Sequence, residues 1–250
     1  MKKILPKIKK IKEKEIPKFF FNSFLYIFLI STGILFLSNC RPASIILSPL
    51  PHHIESVEGY ASIKITGEEN HTRARFSFIL DSSRKGKIQV SNVMGKTLFQ
   101  ILIDKNQSFF VLPSKRAYWR GKEKEIMSKF LGFEMSLLEL ESFLTGRWER
   151  RMKKNSTSKE IKKWKLFTDE QGRAVRGEKG NLCFEVKEFL NDTSIARIFY
   201  FYYYKNEYRL KIIQIDFNQP VKKDVFSLDY LKGYEQKSWA ELEKLIENDS

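Results

Sequence analysis

The sequence predicts a mainly β domain, in which an antiparallel and strongly curved sheet encloses an apolar space beneath short helices. Between residues 56 and 120, apolar and polar side chains alternate with a period of two, and turn-forming segments at 67–70, 81–86 and 104–107 divide the stretch. Strict alternation is typical of antiparallel strands with one buried and one wet face. The period then becomes helical between residues 122 and 146, which predicts two helices within an otherwise all-β chain.

Six short strands form a predicted meander in the first half of the domain. The first three occupy residues 57–65, 73–80 and 87–91, and three further strand-like pieces follow at 95–104, 107–113 and 115–120. The residues predicted to face the interior in the first three strands are Val57, Gly59, Ala61, Ile63, Ile65, Ala74, Phe76, Phe78, Leu80, Ile88 and Val90. Small barrels with such interiors hold hydrophobic ligands, but the same side chains could also fill an ordinary core.

The two predicted helices differ in how clearly their ends are marked. The first covers residues 122–131. The second begins with a capping box, in which Ser136 and Glu139 each satisfy a backbone donor, and ends at Gly146. An apolar stripe runs along this second helix: Leu137, Leu140, Phe143 and Leu144.

The second half of the domain returns to strand patterns. Strands are predicted at 163–168, 182–190 and 194–217, the last being a hairpin that turns at Lys205 and Asn206. A charged turn is predicted between them at 169–181. A final piece at 225–231 leads into an amphipathic tail at 238–248.

The N-terminal residues have the features of an export signal. The first eighteen residues hold eight lysines, and residues 19–37 are almost wholly apolar. Residues 37–40, Leu-Ser-Asn-Cys, resemble the lipobox of bacterial lipoproteins, although Asn39 stands where Gly or Ala is usual. The resemblance implies a signal peptide over residues 1–39 and an acylated Cys40, carrying a diacylglycerol and an N-acyl chain. An uncleaved membrane anchor is the alternative, because an apolar run of this length can span a bilayer.

The charge and the cysteine content limit the possible binding partners and exclude an intramolecular disulfide if Cys40 is acylated. Removing residues 1–39 lowers the net charge from +15 to +9, which suits either a solvated basic surface or attraction to anionic lipid head groups; we expect no nucleic-acid partner. Residues 41–55 contain three prolines and read as a flexible tether. Cys183 is the only other cysteine, so an acylated Cys40 leaves it without a disulfide partner and predicts a free thiol.

The sequence offers little that catalysis requires. Its three histidines, His52, His53 and His71, show no metal-ligand spacing, and no nucleophile motif or phosphate-binding loop is present. We therefore expect no enzymatic activity, no metal and no cofactor apart from the acyl groups on Cys40. A hydrolase with an acyl-binding barrel is the disfavoured alternative.

An ordered set of features carries a more specific resemblance. A glycine-bearing first strand (VEGYASI) is followed by a hairpin tip (SNVMGK), a short helix (KFLGFEMS) and a second helix ending in glycine (LLELESFLTGRW). This order resembles the LolB family of outer-membrane lipoprotein receptors and, more broadly, the LolA/LolB superfamily. The resemblance covers residues 56–147 well and the remaining strands loosely, and it implies a half-barrel domain over residues 56–250.

The resemblance also implies a function and a set of site residues. It implies a monomeric receptor, anchored in the outer membrane and facing the periplasm. This receptor takes lipoprotein acyl chains from a LolA-like carrier, contacts the membrane surface and inserts the chains into the outer membrane. An uncleaved anchor would place the protein on the inner membrane instead. In that family an exposed leucine at a hairpin tip helps to pass lipoproteins into the membrane. The matching positions here are Val93, Met94 and Gly95, with methionine in place of leucine and valine in place of proline. The side chains predicted to line the acyl cavity are Ile63, Phe76, Phe78, Ile88, Val90, Phe99, Ile101, Leu137, Leu140 and Leu144. A structural envelope lipoprotein with a filled core remains the alternative.

Overall fold

The computed structural model describes residues 51–67, 71–92, 94–105, 107–148, 163–191, 193–222 and 224–247. The predicted signal peptide, residues 1–39, and Cys40 lie outside these residues. In the described ranges twelve strands form one sheet: β1 Ser56–Thr66, β2 His71–Asp81, β3 Lys85–Ser91, β4 Thr97–Asp104, β5 Gln107–Leu112, β6 Ala117–Gly121, β7 Lys165–Thr168, β8 Ala174–Lys179, β9 Leu182–Phe189, β10 Ala196–Tyr203, β11 Asn206–Phe217 and β12 Glu235–Gln236.

The strand order shows how two meanders combine into one sheet. The order is β12-β6-β5-β4-β3-β2-β1-β11-β10-β9-β8-β7. Strands β1 and β11 pair along almost their whole length and join the meanders, while β12 adds a short parallel pairing to β6. In the described part of the chain β7 and β12 end the order without pairing to each other, so the barrel is incomplete. The predicted mainly β fold with a curved, open barrel is confirmed.

Two helices follow β6, as the change of period predicts. Helix α1 covers Glu123–Leu131 and helix α2 covers Leu137–Thr145. At the start of α2 the Glu139 backbone N–H donates to Ser136 Oγ at 3.2 Å, and the Ser136 N–H donates to Glu139 Oε2 at 2.7 Å. The predicted capping box is therefore present, and Gly146 ends the helix in the left-handed conformation with φ +65°.

The apolar faces of both helices pack against the inner face of the sheet. Phe130 of α1 lies edge-to-face on Phe76 of β2, with ring centroids 5.2 Å apart. Phe143 of α2 lies at the centre of an aromatic cluster, with its ring centroid 4.7 to 5.5 Å from those of Trp148, Trp164, Phe184, Phe199 and Phe201. Because these side chains are all nearly inaccessible to water, the hydrophobic effect holds the helices on the sheet.

The outer face of β4 and β5 is also covered. Leu102, Phe109 and Val111 point away from the helices and form a second buried cluster with Leu231. The covering segment comes from residues 225–234, which form turns and a short 3-10 helix, Asp229–Leu231. The Tyr230 hydroxyl donates to Gln100 Oε1 at 3.1 Å, and burial raises the pKa of Tyr230 above its usual range.

Three details differ from the sequence predictions or extend them. Strand β8 occupies the middle of the predicted charged turn at 169–181, with tight turns on either side of it. The last hairpin turns one residue earlier than predicted, at Tyr204 and Lys205, because Tyr203 pairs with Asn206. The amphipathic tail forms helix α3, Trp239–Glu247, whose Leu242 is fully buried.

The end of the predicted tether is fixed to the domain. Asn218 follows β11 with φ +55°, and its Oδ1 accepts hydrogen bonds from the Glu55 and Ser56 N–H groups at 2.7 and 3.3 Å. Its Nδ2 donates to the His53 carbonyl oxygen at 2.7 Å. The guanidinium of Arg147 donates to the carbonyl oxygens of His52 and Pro51. Residues 51–55 are therefore held on the folded domain.

Candidate functional site

The turn between β3 and β4 is a short hairpin tip whose described residues are joined by hydrogen bonds. The Asn92 N–H donates to the Lys96 carbonyl oxygen at 3.0 Å, and Asn92 Oδ1 accepts from the Met94 and Lys96 N–H groups at 3.0 and 2.9 Å. Gly95 has φ +81°, which favours glycine, and a Cβ placed there would meet no atom within 4 Å. The turn is thus fixed by its own hydrogen bonds while its outer side is open to solvent.

This tip presents apolar side chains to water. Met94 is 87% exposed, and Leu98 on the same hairpin is 44% exposed. Lys96, also exposed, lies between them in the chain. Val93, the remaining predicted residue of the loop, lies outside the described residues. The structure therefore places Met94 in solvent at the tip and Gly95 beside it.

Most of the predicted acyl-cavity residues lie inside the packed core. Ile63, Phe76, Phe78, Ile88, Val90, Ile101, Leu137, Leu140 and Leu144 are all 5% exposed or less. Phe99 is half-buried, stacks on Phe110 at 4.7 Å between ring centroids and borders a surface pocket. The seven strand residues lie on the inner face of the sheet, and Leu137, Leu140 and Leu144 belong to α2, which covers that face together with α1.

The pocket beside Phe99 has a volume of about 470 Å³. It opens at the end of the sheet next to the Met94 tip, between the start of β4, the short 3-10 helix Pro113–Lys115 and the last turn of α3. Leu245 and Ile246 of α3 and Lys115 are lining residues that the sequence reasoning missed. The amphipathic pattern of the tail was visible in the sequence, but nothing in it indicated that this helix reaches β4.

A buried ion pair links helix α2 to strand β8. Glu139 is 1% exposed, and its Oε1 accepts hydrogen bonds from Trp164 Nε1 at 2.7 Å and from Lys179 Nζ at 2.6 Å. All the polar atoms of this carboxylate are engaged by neighbours and by the capping box. Glu139 therefore has a structural role, in agreement with its assignment to helix capping.

The rest of the membrane prediction falls outside the described residues. Within the ranges that the structure describes, no helix is both long enough and apolar enough to cross a bilayer. The apolar segment 19–37 and Cys40 are not among them. Their roles as signal and lipidation site stay predictions.

No protein-family model and no curated protein matches this chain. Solved structures do match. A LolA superfamily protein from Nitrosomonas europaea aligns with TM-score 0.50 and 9% identity over 76% of this chain and 96% of its own. A putative outer membrane lipoprotein-sorting protein domain from Vibrio parahaemolyticus gives TM-score 0.50 and 11% identity, covering 72% and 93%. A DUF1329 family protein from Desulfovibrio piger gives TM-score 0.50 and 8% identity, covering 72% and 92%. At these identities the likeness concerns the fold, and the chain has the curved, open-barrel fold seen in the LolA superfamily.

Proposed function

We propose that this protein is a lipid-anchored receptor that binds lipoprotein acyl chains brought by a periplasmic carrier and inserts them into the outer membrane. The observation that carries the proposal is Met94, an apolar side chain 87% exposed at the tip of a hydrogen-bonded hairpin turn. A large, flexible apolar side chain held in water in this way suits contact with a membrane.

The fold supports the acyl-binding part of the proposal. Each methylene transferred out of water gains about 0.8 kcal/mol, so acyl chains require an apolar shelter while they cross an aqueous compartment. A curved sheet with an apolar inner face, covered by two short helices, can provide one. The Vibrio parahaemolyticus structure of the same fold is described as a putative outer membrane lipoprotein-sorting protein domain, which agrees with this role.

The hairpin tip is suited to a brief membrane contact. Full burial of a side chain such as methionine contributes about 1.5 to 3 kcal/mol, and a lysine near an anionic surface adds about 1 kcal/mol. Met94, Leu98 and Lys96 together would hold the tip at the bilayer weakly and reversibly. The acyl groups proposed on Cys40 would supply the lasting attachment to the outer membrane if the signal is cleaved. An uncleaved apolar segment 19–37 would instead anchor the protein in the inner membrane.

Acyl binding at the inner face requires a conformational change. The predicted lining side chains are covered by α1 and α2, which contribute Phe130 and Phe143 to the core. The helices would have to move from the sheet as a chain enters. Binding and release by such a movement need neither catalysis nor an energy source, and we propose that the protein is not an enzyme.

A delivery assay tests the proposal. The full-length protein in liposomes is mixed with a carrier loaded with an acylated lipoprotein, and transfer of the lipoprotein to the liposomes is measured. We expect Met94→Glu to keep binding the lipoprotein but to lose delivery, because a carboxylate resists entry into the bilayer. Met94→Leu, which preserves the apolar side chain, is the matched control and should deliver normally. Normal delivery by Met94→Glu would remove the functional role of the tip.

The packed interior favours one alternative, a non-catalytic envelope lipoprotein that scaffolds other proteins. In that case the core side chains only stabilise the fold. A fluorescent fatty acid that binds the protein and is displaced by lipoprotein acyl chains supports the receptor. Absence of binding by any acyl probe supports the scaffold.

A further inference from the structure

The turn between β10 and β11 carries a second large exposed side chain. Tyr204 is 72% exposed and has φ +51°. A bulky residue rarely takes this left-handed conformation, which Asn or Gly adopts at less cost. The Tyr204 ring lies edge-to-face on Tyr203 at 4.5 Å between centroids, and Tyr203 contacts the core residue Phe133 at 6.1 Å. The turn thus holds an aromatic ring in water at a cost in backbone conformation.

The Tyr204 turn and the Met94 turn lie at the same end of the sheet. The pairings that lead from β10 through β11, β1, β2 and β3 to β4 are all antiparallel. Strands β10, β1 and β3 therefore run toward this end, and β11, β2 and β4 run away from it. Four strand spacings separate the two turns, or about 20 Å along the sheet. A bilayer that Met94 touches would therefore face the Tyr204 turn as well.

Basic side chains form two rows on the outer face of the strands between these turns. Arg73 of β2 lies directly opposite Lys64 of β1, which lies opposite Arg209 of β11 on its other side. In the next row, Arg75 and Lys211 lie on either side of β1. Within the described part of the chain, none of these five side chains forms an ion pair. Because like charges placed directly opposite destabilise a sheet, stability does not explain the rows.

The charge of this surface stays positive when the neighbouring acids are counted. Glu207 is the one described carboxylate that faces outward between the rows and the turns on β1, β2 and β11. The sequence adds Glu68 and Glu69 in the segment that joins β1 to β2, outside the described residues. With Lys96 of the Met94 turn included, basic residues still outnumber acidic ones six to three. The surface is therefore complementary to an anionic partner.

We propose that this end of the sheet docks on a bilayer that contains anionic phospholipids, with Tyr204 at the level of the head groups and the row of Arg73, Lys64 and Arg209 beside the lipid phosphates. Tyrosine suits this position because its ring is apolar and its hydroxyl is polar. Two contacts would fix the orientation of the domain, which the Met94 turn alone cannot do. The inference rests on the proposed function in taking the bilayer touched by Met94 as the partner.

Photolabelling from the lipid tests the contact in the full-length protein. The protein is placed in nanodiscs of phosphatidylcholine, with or without phosphatidylglycerol, that contain a trace of phosphatidylcholine with a diazirine on its head group. Mass spectrometry locates the labelled residues. We expect labelling at residues 94–96 and 203–205 in the anionic discs, and several-fold less at 203–205 in the neutral discs. The turns at 82–84 and 170–172, at the opposite end of the sheet, should stay unlabelled.

A first pair of variants tests the basic rows. Lys64→Gln/Arg73→Gln should lower labelling at residues 203–205 about tenfold, because each basic residue near an anionic surface contributes about 1 kcal/mol. It should not lower the unfolding temperature, since it removes two opposed like charges. The matched control, Arg84→Gln/Lys105→Gln, neutralises two exposed basic residues in turns at the opposite end and should label as the unaltered protein does.

A second pair of variants tests the aromatic ring. Tyr204→Asn should reduce labelling at residues 203–205 several-fold. Its unfolding temperature should not fall, because Asn takes the left-handed conformation at less cost. Tyr204→Trp keeps a large ring with a polar group and should label as the unaltered protein does.

Two outcomes would overturn the proposal. Absence of labelling at 203–205 while 94–96 are labelled would remove the second contact and leave the proposed function intact. Unchanged lipid labelling in Lys64→Gln/Arg73→Gln would show that the rows do not bind lipid and would favour an acidic protein as their partner. The Met94→Glu delivery assay is read separately: normal delivery together with labelling at 203–205 would retain this surface without the proposed role of the Met94 turn.

Discussion

Lys179 Nζ lies 2.6 Å from Glu139 Oε1, and this ion pair joins strand β8 to the first turn of helix α2. The Glu139 side chain is 1% exposed, whereas the Lys179 side chain is 20% exposed. Trp164 donates to the same oxygen at 2.7 Å. The contact thus fastens the capping box of α2 to two segments that are distant in the sequence.

Removing the lysine should destabilise the domain strongly. Lys179→Met leaves a buried carboxylate without its cation, and we expect the free energy of unfolding to fall by about 3 kcal/mol, the lower end of the range for breaking a buried pair because the lysine is partly exposed. Urea unfolding followed by circular dichroism measures the change. Lys232→Met is the matched control, since its partner Asp229 and Lys232 itself are about four-fifths exposed, and it should cost less than about 1 kcal/mol.

A double variant shows how much of the lost stability comes from the unpaired charge of Glu139. Glu139→Gln combined with Lys179→Met places a neutral amide where the carboxylate was, so part of the loss should be recovered. A double variant whose loss equals the sum of the losses in the two single variants would show that the two side chains have no interaction energy.

The second prediction compares substitutions at Gly146 and Gly95, which share a positive φ but differ in the space around them. Both have positive φ, +65° and +81°, but a Cβ on Gly146 would lie 2.1 Å from the Ser194 carbonyl oxygen, and one on Gly95 would meet nothing. Gly95→Ala should therefore cost about 1 kcal/mol for its backbone conformation, and Gly146→Ala at least about 3 kcal/mol. Thermal unfolding of the two variants gives the comparison, and equal losses would show that the backbone near Ser194 yields.

The features predicted well from the sequence are those that depend on near neighbours in the chain. The capping box of Ser136 and Glu139 and the end at Gly146 are local hydrogen-bonding and conformational signals, and both are present. The alternation in β1 to β3 was also readable, because only one face of each strand is buried there.

The features that were missed depend on distant parts of the chain. Strand β8, AVRGEK, has few apolar residues. At its inward position Gly177 has no side chain, and the ring of Phe184 from β9 occupies the space that a side chain there would fill. Residues 228–234 cover the outer face of β4 and β5, which is why Leu102 is buried between two inward neighbours, Ile101 and Ile103. The hydrophobic pattern of either segment alone does not indicate which part of the chain it packs against.

The candidate site also has one part that could be predicted from the sequence and one part that could not. Met94 and Gly95 occupy a turn whose form follows from adjacent residues, and their position was predicted. The pocket combines β4 with Lys115 and with Leu245 of α3, and only the folded chain brings these together.

Asn218 provides a third prediction, on the attachment of the N-terminal segment. Its side chain binds the backbone of His53, Glu55 and Ser56, while its own φ of +55° favours Asn or Gly. Asn218→Gly keeps the backbone conformation and removes the hydrogen bonds, so we expect a loss of about 1 to 3 kcal/mol. Hydrogen exchange should show faster exchange at the Glu55 amide, with the amides in the middle of β1 unchanged. Unchanged protection at Glu55 would mean that other contacts hold residues 51–55.

Phe130 provides the last prediction, which separates a receptor from a scaffold with a filled core. Its ring is 8% exposed and lies on α1 between Phe76 and Phe99, at centroid distances of 5.2 and 6.0 Å. Phe130→Ala should lower the free energy of unfolding by about 3 to 5 kcal/mol, because it leaves a cavity between helix and sheet. If acyl chains bind where α1 now packs, the same cavity should raise the affinity for a fluorescent fatty acid, and bound fatty acid should restore part of the lost stability. Phe109→Ala, which opens a comparable space on the outer face of the sheet, should lose stability without any gain in binding. Equal and negligible binding by both variants would favour the scaffold.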